Sequence, residues 1–250
     1  MELQEAIGAD IMMAFDECSR NDADEAAAAR SMERTHAWLL RCRERWQDLE
    51  AAKTGRAPQA LFGIVQGGNS RPLRERSAAF VADLDLPGIA IGGESIGYSR
   101  PMTAAILDWV ADLLPSDRPH YAMGIGEPVD FFAVVRRGVD MFDSVLPTRM
   151  ARNGTLLTAH GRLRLLGARY ATDPTPPDPT CSCYTCRTHS RAYLRHLFKA
   201  EELLAPCLAT IHNVHFCLDL MHRMRRAIGE GRFTAFEQEF LAAYQAGGEA

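Results

Sequence analysis

Short apolar runs alternate along the chain with longer stretches in which apolar residues recur every three or four positions. The runs are IMMAF (11–15), LFGIVQ (61–66), GIAIGG (88–93), YAMGIG (121–126) and MFDSVL (141–146). Each is too short for a helix and is closed by Gly, Pro or a polar residue, as expected of strands buried on both faces. Between them lie helical patterns. Over 24–50 the apolar stripe is Met32, Leu39, Cys42, Trp46 and Leu49, with Asp22 or Asp24 as the cap. Leu73, Phe80, Val81 and Leu84 form a second stripe. Ile106, Trp109, Val110 and Leu113 form a third, and Phe131, Phe132 and Val135 begin a fourth. Strand and helix in alternation predict a parallel sheet with helical crossovers.

The rhythm changes after Pro147. GTLLTAHGRLRLLG predicts a β-hairpin turning near His160 and Gly161, and DPTPPDPT is a loop with four prolines. Helices are predicted at 188–204, 213–228 and 234–245.

Two α/β architectures compete, an open doubly wound sheet and a TIM (β/α)8-type barrel. No G-x-G-x-x-G opens a helix after a first strand, which counts against dinucleotide binding. Residues able to do chemistry instead end several different strands: Asp16, Gln66, Gly93 with Glu94, and Asp143. Distributed chemistry at strand C-termini is how a barrel enzyme builds its site. Five clear strands stand where a barrel needs eight, and the chain opens already inside a helix, ELQEAIG. The expected fold is therefore the later part of a barrel, incomplete at its N-terminus.

Composition narrows the reading. Apolar residues make up 47% of the 250, enough for a core, and the net charge is -4, so contact with nucleic acid must come from local clusters. MELQEAIGAD lacks the basic and apolar regions of a signal peptide. No apolar run reaches the ~18 residues of a membrane span. The expectation is a cytoplasmic chain, where clustered thiols indicate metal or redox chemistry before disulfides.

The densest such cluster is TCSCYTCR, with Cys181, Cys183 and Cys186 in six residues. Zinc wants four ligands in a tetrahedron. His212 is the best fourth candidate, read at a helix start 26 residues past Cys186, with Cys207 and His189 as rivals. Unrelated buried cysteines and a redox C-x2-C are the alternatives, the latter lacking a strand-to-helix context. A shell of four protein ligands would be closed and structural. Arg187, Arg191, Arg195 and Lys199 follow at helical spacing, while Arg149, Arg152, Arg162 and Arg164 precede the cluster. They read either as a basic face for phosphates or as a solvated helix surface.

MAFDEC, FGIVQGG, HYAMGIGEP, MFDSVLPTRMARNG and CSCYTC occur in this order, and together they resemble the tRNA-guanine transglycosylase family, bacterial type, from about residue 2 to about 245. The resemblance implies a TIM barrel with a zinc subdomain, divided as 1–153 (later barrel strands and helices), 154–212 (hairpin and zinc-binding insertion) and 213–250 (closing helices). It implies exchange of guanine at the tRNA wobble position for a 7-deazaguanine, with Asp143 as nucleophile. Asp16, Gln66 and Gly93 would hold the base, Met123 and Gly124 would floor its pocket, and Arg149 and Arg152 would contact the anticodon loop. Cys181, Cys183, Cys186 and His212 would bind Zn2+, and a homodimer through the zinc region is implied. Cys18 favours an aminomethyl-deazaguanine, whose ammonium Glu94 would pair. The family's D-S-G-G-[FY]-Q motif, which carries its proton-transferring Asp, is not among these 250 residues. The alternative reading is a catalytically silent tRNA-binding or accessory zinc module. Base deamination is disfavoured, since H-x-E…P-C-x-x-C does not occur.

Overall fold

The computed structural model describes residues 1–20, 22–93 and 99–247. Each apolar run yields a strand, shorter than the run: β1 (Ile11–Met13), β2 (Ala60–Val65), β3 (Gly88–Ile91), β4 (His120–Ala122) and β5 (Met141–Phe142). All four pairings are parallel, and the spatial order is β1-β2-β3-β4-β5. Neighbours in sequence are neighbours in space, with no reversal of the kind that makes a switch point in a doubly wound sheet. The result is a curled, singly wound parallel half-barrel of five strands. Every residue of β3, and all but the first of β2, is buried. These two strands have both faces covered, which is why their sequences are continuous apolar runs rather than alternations.

The crossovers are helices: α1 (Glu2–Ile7) precedes β1, and α2 (Glu25–Ala52), α3 (Arg71–Ala82), α4 (Arg100–Val110) and α5 (Pro128–Val135) follow the first four strands in turn. Asp24, not Asp22, caps α2, accepting from the Ala27 N–H at 2.7 Å. Met32, Leu39 and Cys42 of its stripe are buried. Trp46 keeps a polar tip, its indole N–H donating to Gln59 O at 2.7 Å. Leu113, expected on the inner face after α4, is instead 39% exposed, because the helix tightens to a 3-10 turn over Ala111–Leu113 and rotates the stripe off its face.

Contacts divide the chain into two compact units, one of Met1–Ile125 with Asp130–Ser144 and one of Gly126–Val129 with the chain from Val145 onward. The second begins with α6 (Leu146–Arg152) and the hairpin β6 (Thr155–Thr158) and β7 (Gly161–Arg164), which turns at the predicted place. Then come α7 (Tyr184–Thr188), α8 (Arg191–Lys199), α9 (Leu204–Gly229) and α10 (Phe233–Ala246). Leu156, Leu163, Leu194, Leu197 and Leu208 close a core between hairpin and helices. α9 starts earlier than the predicted 213. Pro206 falls in the helix's first turn, where its missing N–H costs nothing.

One buried titratable group links the first unit's core to pH. His36 of α2 stacks on Phe80 of α3, ring centroids 4.1 Å apart. Burial, reinforced by the charge of Arg76 and opposed by Glu33, pushes its imidazole down to about 4. Between the ordinary value of 6.5 and about 4 the folded ring binds fewer protons than the unfolded one. Stability is therefore held above that window and lost as pH falls through it. Denaturant midpoints should show a loss on the order of 1–2 kcal/mol, allowing for solvent screening, between pH 7 and pH 4.5. The H36Q protein should lose that part of the slope; an unchanged slope would refute the assignment.

Candidate functional site

The residues that follow the strands converge at the C-terminal end of the parallel sheet, where each strand's ladder stops and the backbone needs new partners. Two clusters form there. In the first, Asp16 after β1 faces Gln66 after β2, and the Gln66 amide donates to Asp16 Oδ2 at 2.6 Å. Burial raises the Asp16 carboxyl above its ordinary value, with the Gln66 bond opposing. Gln66 is only 1% exposed, and its Oε1 makes no hydrogen bond among the described residues. Gly92 lies directly against this amide. A Cβ on Gly92 would stand 2.6 Å from Gln66 Nε2 and 2.8 Å from an Ile64 methyl, so only glycine leaves the amide its place. Gly93 follows with φ 145°, a conformation that L side chains rarely adopt. Cys18 is exposed beside this cluster. Glu94 lies outside the described residues.

The second cluster centres on Asp143, directly after β5. Tyr121 of β4 donates its hydroxyl to Asp143 Oδ1 at 2.6 Å, and the Gly124 N–H donates to the same oxygen at 3.0 Å. Burial, followed by the Asp143 carboxylate, raises the Tyr121 phenol well above its ordinary value, so it remains a donor. Met123, between Tyr121 and Gly124, is tied to β3 through its N–H to Ile91 O at 3.2 Å. Asp143 is exposed, with one oxygen engaged by these two donors. Sequence reasoning passed over Tyr121, although it sits in the same HYAMGIG stretch as Met123 and Gly124. Its place in the site depends on the register that sets β4 beside β5, Tyr121 opposite Met141, which no local pattern marks.

In the second unit, Arg149 and Arg152 are exposed on the last turn of α6, and Arg152 reaches back to Thr148 Oγ1 at 3.3 Å. The basic series on α8 is partly absorbed by the fold. Arg191 bonds Asp173 at 3.2 Å and Pro177 O at 3.0 Å, and Arg195 bonds Gly167 O at 3.0 Å, so both staple the proline-rich loop and hairpin exit.

The expected metal ligands do come together. One donor atom from each of Cys181, Cys183, Cys186 and His212 lies within 4.8 Å of all the others. His212 Nδ1 stands 3.5 Å from Cys183 Sγ and 3.2 Å from Cys186 Sγ. A tetrahedral zinc with Zn–S near 2.3 Å places its donors about 3.5–3.8 Å apart, so the set fits. Hydrogen bonds from Cys181 and Cys186 pull the Cys183 thiol strongly down, favouring thiolate. The other ring nitrogen, His212 Nε2, faces Leu157 O at 2.7 Å and must donate to it, which leaves the Nδ1 lone pair for a metal. His212 is two turns inside α9 rather than at its start, because α9 begins at Leu204. Of its rivals, Cys207 is exposed, and His189 packs edge-on between the rings of Tyr184 and Tyr193.

Two residues that the sequence did not single out hold this centre. Asn213, wholly buried, accepts from the Leu157 N–H at 2.9 Å and donates to Pro147 O at 2.9 Å and Thr155 O at 3.0 Å. It ties α9 to the hairpin and to α6. Asp178 accepts from the Thr180 N–H at 2.8 Å, the Thr180 hydroxyl at 2.7 Å and the Ala159 N–H at 3.0 Å. Burial alone would raise its carboxyl, but these donors outweigh burial and hold it low. The D-x-T spacing of an Asx turn was the signal available for Asp178; Asn213 had none, since all its partners are distant in sequence.

Metal removal should loosen the second unit. Chelation, or C183S, should lower the unfolding midpoint by about 10 °C or more. Bound metal by atomic absorption should fall in parallel; a metal-free protein with an unshifted midpoint would contradict the assignment.

Residues 1–246 match the sequence family described as queuine tRNA-ribosyltransferase. Proteins of that name are similar to this chain in Herpetosiphon aurantiacus (50% identical, 97% of this chain and 60% of that protein), Caldanaerobacter subterraneus (48%, 98% and 63%) and Staphylococcus aureus (47%, 98% and 62%). The chain thus spans about three-fifths of the length of these relatives. On this match, which runs through both clusters and the Cys3His centre, the chain belongs to the queuine tRNA-ribosyltransferase family.

Proposed function

We propose that this chain carries the base-exchange chemistry of a tRNA-guanine transglycosylase, replacing guanine at the wobble position of tRNA with a 7-deazaguanine. The observation that carries the reading is Asp143, whose Oδ1 is held by Tyr121 and Gly124 at the end of β5. Two fixed donors hold that oxygen in place and aim the carboxylate. In the first displacement an Asp143 oxygen bonds to ribose C1′ as the C1′–N9 bond breaks and guanine departs with that electron pair. In the second, N9 of the incoming base bonds to C1′ as the C1′–O bond to Asp143 breaks and Asp143 leaves as carboxylate; the N9 proton passes to water and replaces the proton that the departed guanine took up. Two displacements at one carbon return the original configuration.

Asp16 accepts from the N1–H and 2-amino group of the base, while the Gln66 amide and the Gly93 N–H donate to its O6. The Gln66–Asp16 bond favours this reading, since it aligns donor and acceptor side by side before any base enters. Met123 and Gly124 floor the pocket. Arg149 and Arg152, both exposed on α6, meet the anticodon-loop phosphates. The target base must leave its stack to enter, at a cost of a few kcal/mol, and a single-stranded loop keeps that cost low. Zn2+ held by Cys181, Cys183, Cys186 and His212 has a closed shell; bound, it supplies shape and takes no part in bond making. The five strands are proposed to be part of a (β/α)8 barrel.

Incubation with radiolabelled guanine and cognate tRNA tests the reading. Incorporation is expected, and D143N should lower it about a thousandfold or more while leaving tRNA binding intact. Binding of tRNA with no incorporation by the parent chain would point instead to the silent accessory module. Glu94 is proposed to pair with the ammonium of an aminomethyl-deazaguanine. E94L should therefore lose about tenfold of the preference for that base over guanine, measured as a ratio of kcat/KM; a retained preference would remove Glu94 from the pocket.

A further inference from the structure

A single peptide unit, the one joining Val65 to Gln66, is gripped at both ends. Its carbonyl, on Val65, accepts from the Gly92 N–H at 3.0 Å and from Arg74 Nη1 at 3.1 Å. Its N–H, on Gln66, donates to Ser77 Oγ at 3.0 Å. Arg74 and Ser77 are three residues apart on α3 and so share one face of that helix. Arg74 is wholly buried, and no carboxylate bonds to it among the described residues. Nε donates to Gly68 O at 2.7 Å, and Nη1 donates to Gly92 O at 2.7 Å besides Val65 O. Its guanidinium therefore joins the ends of β2 and β3. Burial pulls Arg74 down to about 10, with Cys18 opposing, so it stays charged at neutral pH.

Behind Ser77 stands His36, Nε2 at 2.9 Å from Ser77 Oγ. The imidazole is neutral at neutral pH. Since Ser77 Oγ accepts from Gln66, its own proton is free to go to His36 Nε2, with the His36 proton on Nδ1. The hydroxyl then has one orientation and offers Gln66 a lone pair.

We propose that Ser77 and Arg74, with His36 orienting Ser77, are positioning residues for base recognition: by clamping the Val65–Gln66 peptide plane they aim the Gln66 amide at the base edge. None of the three is assigned a contact with the base. The inference rests on the base-exchange reading and adds to it how its O6 donor is held. Gln66 has a long side chain with three rotatable bonds, and an untethered amide would lose much of its selectivity to rotamer freedom. Clamping the peptide fixes the direction of its Cα–Cβ bond, while Gly92 and Asp16 confine its tip.

The test compares the 250-residue parent with S77A and S77T in guanine exchange. S77A should raise KM for guanine about tenfold with kcat within about threefold and KM for tRNA unchanged, the size of one lost positioning hydrogen bond. S77T, which keeps a hydroxyl, should restore the parent KM. By NMR, the Gln66 backbone amide should exchange with deuterium at least about tenfold faster in S77A than in S77T at equal global stability. If the parent exchanges guanine but S77A keeps KM within twofold, or S77T fails to rescue a protein of unchanged stability, the positioning role is overturned and base exchange stands. If the parent does not exchange guanine, the base-exchange reading falls and takes the positioning role with it.

Discussion

A parallel strand that stops leaves peptide groups its neighbours no longer satisfy, and burying them unpaired costs on the order of 1–3 kcal/mol each. At the C-terminal end of this sheet those groups are closed by side chains and by one another. Arg74 gathers the carbonyls of Val65, Gly68 and Gly92, and Ser77 takes the N–H of Gln66. Asp143 takes the N–H of Gly124. The same bonds that satisfy the strand ends set the Gln66 amide and the Asp143 carboxylate. Structural satisfaction and the geometry of the candidate site are here one set of contacts, so a change to either disturbs both.

The second unit meets a different constraint. Its thiol cluster follows a loop with four prolines, which has little apolar area of its own to bury. Three cysteines and a histidine close it, and the closure is anchored outside the ligand set. His212 is held by Leu157 O, Asp178 ties the cysteine loop to Ala159, and Asn213 reaches Pro147 and Thr155. Through Asn213 the ordering of the metal loop extends to α6, the helix that presents Arg149 and Arg152. The spacing of the arginines on α8 reads equally as a phosphate-binding or a solvated face, yet Arg191 and Arg195 are engaged by Asp173 and by backbone carbonyls.

Much of this molecule was legible in its residue order. The five apolar runs, the long helix with its Asp24 cap, the hairpin turn and the C-x-C-x2-C cluster are local patterns, set by side-chain periodicity, turn chemistry and ligand spacing within a few residues; His212, 26 residues past Cys186, was the best of three candidates for the fourth ligand, and the fold brings it to the cysteines. Their placement at strand ends pointed to Asp16, Gln66 and Asp143 for the same reason. What the residue order did not reveal were pairings between distant segments: Tyr121 with Asp143 across 22 positions, Ser77 with His36 across 41, Asn213 with Leu157 across 56. A serine, a histidine or an asparagine inside a helix has no periodic signature that tells a buried partner from a solvated one. Only the packing of α2 and α3 on β2, and of α9 on the hairpin, excludes water and obliges each polar group to find its bond, and that decision belongs to the tertiary structure alone.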